Sequence, residues 1–122
     1  MSLRNFITFT SITAFVFSAP LIVFPQLMAS SFAVTLDDGG MLFARNVGAI
    51  LLGVGFINWS ARDWGNSKPL KDLLIGNLAI QILTGVTDIV AIFNGIINTM
   101  GWIGVAVHVI LGAGFLYYYK KL

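Results

Sequence analysis

Four long apolar blocks run along this chain, separated by stretches where polar, charged, proline and glycine residues gather. The blocks cover roughly 6–24, 42–59, 73–93 and 102–119, each close to the ~17–25 residues a helix needs to cross a hydrocarbon core. The pattern predicts an all-α membrane protein, an antiparallel four-helix transmembrane bundle forming one domain over residues 1–122. The first span ends against Pro25 and contains Pro20, which predicts a kink there. A secretory signal is the rival reading of this block. Its apolar run is too long for that, and no small-x-small cleavage site follows, so an uncleaved span is expected. The segment 26–40 is partly apolar and reads equally well as a short interfacial helix or as a loop, before Asp37-Asp38-Gly39-Gly40 turns the chain. The connection 94–101 is short, so the third and fourth spans should form a tight hairpin.

One span breaks its own pattern. Within 73–93, Asn77, Gln81, Thr84 and Asp88 fall at spacings of about 4, 3 and 4, which keeps them on one helical face. Polar groups in hydrocarbon are costly, so that face should point toward protein or trapped water rather than lipid.

Composition supports the membrane reading. Of 122 residues, 57% are hydrophobic and 10% charged, against roughly 25% charged in soluble domains. A net charge of +2 without a clustered basic patch argues against nucleic acid as a partner. The chain has no cysteine and no glutamate, and a single histidine. Disulfides, cysteine-ligated clusters, thiol nucleophiles and palmitoylation are thereby excluded, and few metal ligands remain. No metal and no cofactor are expected.

Charge distribution predicts orientation. Arg4, Arg62, Lys68, Lys71, Lys120 and Lys121 fall on one side of a four-span layout, with only Arg45 on the other. This places both termini in the cytoplasm, in a bacterial inner membrane. Trp59, Trp64 and Tyr117-Tyr118-Tyr119 then lie at the inner interface and Trp102 at the outer.

Arg45, Asp88 and His108 are the ionisable groups within or near hydrocarbon. At about 1.5 Å per residue they lie roughly 5, 7 and 10 Å below the outer ends of their spans. An Arg45–Asp88 ion pair with His108 nearby is one expectation, because a guanidinium fork can hold a carboxylate in its charged form. The other has Arg45 snorkelling to the outer headgroups and Asp88 protonated against a backbone carbonyl. A pair would serve as a packing clasp rather than a proton path, since no second acidic group lies deeper.

His108 shares a face with Gly101, Gly104 and Gly112, and a lone histidine there is more often a hydrogen-bonded packing residue than a ligand. Gly48, Gly53 and Gly55 on the second span are likewise expected to let a neighbouring helix approach. Gly53-Val54-Gly55 is no phosphate loop, because no strand leads into it. Thr8, Thr10, Ser11 and Thr13 can bond their own helix.

The stretch Ala44-Arg45-Asn46-Val47-Gly48-Ala49-Ile50-Leu51-Leu52-Gly53-Val54-Gly55, followed by Trp59-Ser60-Ala61-Arg62, resembles small bacterial four-span proteins of unknown function. Met100-Gly101-Trp102, at the start of the fourth span, does so too. These proteins are loosely similar to the DoxX-like membrane families, and the likeness in length and span count covers most of the chain. Some DoxX-type proteins are associated with quinone-linked sulfur oxidation or redox membrane complexes. No catalytic motif of theirs falls on this chain, so the resemblance implies the fold and the importance of Arg45, not an activity.

Three functions compete. The leading expectation is a non-enzymatic bundle that packs in the lipid bilayer as a homo-oligomer or as an accessory subunit beside other membrane subunits. The second is binding or transport of a lipophilic or anionic small molecule in a polar cavity near Arg45, Gln81, Asp88 and His108. An enzyme comes third: nothing here has nucleophile–base spacing, so it would need an external cofactor.

Overall fold

Side-chain caps, rather than the edges of the apolar blocks, decide where three of the helices begin. The computed structural model describes residues 1–122, in the order α1 (Leu3–Val23), α2 (Pro25–Ser30), α3 (Asp38–Ala61), α4 (Lys68–Phe93) and α5 (Gly101–Lys121), with no strand. Asp37 starts α3 four residues ahead of the apolar block, its Oδ1 accepting from the Gly40 N–H at 2.6 Å. Ser67 does the same for α4 through the Leu70 N–H at 3.3 Å. Pro69 in the first turn and a Lys68–Asp72 pair at 2.6 Å reinforce that start. Helix α1 continues through Pro20 for a last turn, and the Phe24 N–H closes it on the Pro20 carbonyl at 2.8 Å.

The segment 26–40 divides between the two readings open to it. Its first part lies in helix α2, residues 31–37 form a loop held by one side chain, and residues 38–40 open α3. Gln26 donates from Nε2 to Ser30 Oγ at 2.9 Å and to the Val34 carbonyl at 3.2 Å, and its Oε1 accepts from the Leu36 N–H at 2.8 Å.

The chain divides into two compact units, residues 1–62 and 63–122. In the first, α1 packs on α3. A methyl group at Gly48 would lie 2.9 Å from Leu21 Cβ, and one at Gly55 would lie 2.5 Å from the Phe15 ring. Asn58, buried, reaches Thr10 Oγ1 at 3.5 Å. These contacts run in opposite order along the two helices. The hydroxyls of Thr8, Thr10, Ser11 and Thr13 all bond carbonyls of α1 itself, at 2.9 Å each. Intrahelical bonding of this kind lets Thr10 and Ser11 lie buried without a cross-helix partner for every group.

In the second unit α4 packs on α5. Leu70, Leu74, Leu111, Phe115 and Tyr118 form its core, and Asn66 ties its ends by donating to the Leu122 carbonyl at 3.3 Å. The other helix faces stay apolar and uncovered: Ile50, Leu83 and Ile110 are 69%, 67% and 66% exposed. Water would penalise such a surface, whereas acyl chains match it. Helices α1, α3, α4 and α5 are each long and apolar enough to cross a membrane.

Candidate functional site

The polar stripe of α4 splits according to what lies opposite each residue. Asn77 is buried and donates to the Leu73 carbonyl at 3.0 Å, and the Thr84 hydroxyl donates to the Ile80 carbonyl at 2.7 Å. Both bonds stay within α4. Gln81 and Asp88 instead meet His108 of α5. His108 Nδ1 lies 2.6 Å from Gln81 Oε1, and its Nε2 lies 3.5 Å from Asp88 Oδ2. The imidazole thus bridges two positions seven residues apart on the facing helix.

Glycines make this approach possible. A methyl group at Gly85 would sit 3.3 Å from His108 Cβ, one at Gly104 2.9 Å from Asp88 Oδ2, and one at Gly112 3.5 Å from Gln81 Cβ. Each of the three polar side chains therefore lies over a glycine of the opposing helix. Gly101 packs elsewhere, at the turn, where a methyl would meet Ile92 and Ile97. Gly48 and Gly55 receive side chains of α1, as described above. At Gly53 nothing lies within 4 Å of the place its methyl would take, so α1 does not pack on it. Gly53 sits five residues from Gly48 but only two from Gly55, and at about 100° per residue it turns off their common face.

With Gln81 Oε1 accepting, Nδ1 carries a hydrogen; with the amide turned by half a turn, Nδ1 accepts from Nε2 of Gln81 instead. In both arrangements Gln81 fixes the ring's orientation and the other ring nitrogen faces Asp88. No three His, Cys, Asp or Glu side chains come together as a metal-holding group.

Beside this cluster the hairpin carries an open groove of about 350 Å³. Leu78, Ile82, Val86, Val105, Val109 and Leu116 wall it, and Gln81 and His108 border it while its surface stays almost wholly apolar. Arg45 is exposed on α3, in the first unit. The Arg45–Asp88 pair expected above would join the two units, whereas within the second unit Asp88 faces His108.

Gly85 belongs to this site although polarity alone does not point to it. Its signal is positional: it stands four residues after Gln81 and three before Asp88, in the same stripe. A glycine amid a polar helical face marks where a side chain of the facing helix can enter.

Paired apolar helices, four of them long enough to cross a bilayer, define a multi-pass membrane protein. Residues 1–119 match the family described as Domain of unknown function (DUF8292), and the chain belongs to that family. No curated protein and no solved structure matches it.

Proposed function

We propose that the protein is a small integral membrane scaffold, an oligomeric or accessory subunit whose spans alternate in direction with both termini on the cytoplasmic face. The proposed setting is a bacterial inner membrane. One observation carries the scaffold reading: Gln81, His108 and Asp88 face one another across α4 and α5, over glycines that let the backbones close. Polar contacts between helices in lipid act mainly as packing specificity, so this cluster is read as a clasp that gives the α4–α5 hairpin a fixed register. A rigid hairpin with wide apolar outer faces suits packing among other spans. Native mass spectrometry from mild detergent tests this, with a homo-oligomer or a complex with another membrane subunit expected. A lone monomer retaining a small molecule overturns it.

The groove favours a second reading, in which the same hairpin binds a lipid-soluble small molecule. Its surface is almost wholly apolar, which suits the body of such a molecule.

A further inference from the structure

Two lysines continue the walls of the groove on the α4–α5 hairpin. On α4, Lys71, Ile75, Leu78 and Ile82 follow one another at spacings of 4, 3 and 4 residues. On α5, Val109, Ala113, Leu116 and Lys120 repeat those spacings. Such spacing keeps each set on one helical face, and Leu78, Ile82, Val109, Ala113 and Leu116 all line the groove. Lys71 and Lys120 therefore stand on the groove's face, about 10 Å and 6 Å along the helices from Leu78 and Leu116. They mark the same end of the hairpin, because Asn66, ahead of α4, donates to the Leu122 carbonyl, beyond α5, at 3.3 Å. Neither is paired with a carboxylate; Asp72 holds Lys68 instead, at 2.6 Å. Lys120 is exposed and Lys71 half-buried, as suits a stem lying on apolar surface beneath a solvated ammonium.

We infer that this end of the hairpin holds an anionic phospholipid, its phosphate beside Lys71 and Lys120 and one acyl chain along the groove. Charge decides the head group. Two ammonium groups without carboxylate partners attract a head of net negative charge, whereas a choline head sets its own cation against them. Depth agrees with this. Lys71 stands just ahead of the apolar run that opens at Leu73, and Lys120 directly follows Tyr119. Both thus meet the phosphate layer when the hairpin crosses a bilayer. The groove itself is open and almost wholly apolar, so a chain can enter it sideways from the surrounding lipid. The neighbouring lysines are placed differently: Lys68 is engaged by Asp72, and Lys121, one residue further round α5, lies over the Tyr117 ring at 5.6 Å. The proposal requires only that the hairpin crosses a bilayer, and so stands apart from the scaffold and small-molecule readings.

Photolabelling of the full chain in phosphatidylcholine nanodiscs tests the proposal. The probes are trace phosphatidylglycerol and trace phosphatidylcholine, each with a diazirine midway along one acyl chain. Adducts mapped by mass spectrometry are expected on Ile82, Val86, Val105 or Val109. Phosphatidylglycerol should give about tenfold more of them, the order expected of two lysines at a membrane surface. Lys71→Gln and Lys120→Gln should each lower that preference about threefold, and together they should bring the two lipids level. Lys121→Gln removes the same charge one residue away and should leave the preference unchanged. Lys71→Arg with Lys120→Arg keeps both charges and should keep the preference, which separates loss of charge from damage to the fold. Equal groove labelling by the two lipids in the wild-type chain would overturn the proposal. So would a loss with Lys121→Gln as large as with Lys120→Gln, the mark of charge acting only through the whole surface. Absence of groove adducts from both lipids would overturn it as well, and the oligomeric state would be untouched by any of these results.

Discussion

Replacing Gly48 and Gly53 separately by alanine should move stability in opposite directions, although both glycines lie on α3. In each case alanine removes the backbone freedom of glycine and favours the helix by about 1 kcal/mol. At Gly53 nothing opposes this gain, because the space within 4 Å of the new methyl is empty. At Gly48 the methyl would come 2.8 Å from Ile22 Cγ1, 2.9 Å from Leu21 Cβ and 3.1 Å from the Ile22 backbone nitrogen. Ile22 Cγ1 can turn away, but Leu21 Cβ and the backbone nitrogen move only if α1 moves. Overpacking of this kind costs about 1–3 kcal/mol, so Gly48→Ala should lose about 1 kcal/mol net and Gly53→Ala should gain up to about 1 kcal/mol. The difference, about 2 kcal/mol, is readable as opposite shifts in the midpoint of an SDS titration in mixed micelles, followed by tryptophan fluorescence. Gly48→Ala at or above wild-type stability would refute the close α1–α3 approach. An equal loss at Gly53 would show that its face packs against something other than lipid.

The clasp makes its own prediction. Gln81→Leu, His108→Phe and the double mutant, measured by the same titration, should show a coupling of about 1 kcal/mol, within the range of hydrogen bonds between membrane helices. Additive losses would mean that the 2.6 Å contact contributes nothing to the hairpin. At the start of α3, Asp37→Ala should cost about 1 kcal/mol by freeing the Gly40 N–H. Asp37→Asn or Asp37→Ser should recover most of it, and a loss shared equally by all three would argue that the carboxylate has another role.

Much of this fold is legible along the chain because lipid imposes a simple requirement. A spanning segment must satisfy its backbone internally and show apolar side chains outward, so the four apolar blocks mark α1, α3, α4 and α5 directly. The caps refine them: Asp37 and Ser67 explain why α3 and α4 begin several residues before the hydrophobicity does. The helical period likewise places Gln81, Gly85 and Asp88 on one stripe, and Gly104, His108 and Gly112 on another. Periodicity leaves open which stripes meet, because rotation and axial register of two packed helices depend on all the side chains between them. Only the tertiary structure joins Gln81 and Asp88 to His108, turns Thr84 and Asn77 back onto their own backbone, and leaves Gly53 in open space. The chain alone thus sets which residues are too polar or too small for lipid, through the energetics of hydrocarbon. Their partners are set by close packing, since Gln81, Asp88 and His108 come within reach of one another where glycines let the opposite backbone approach.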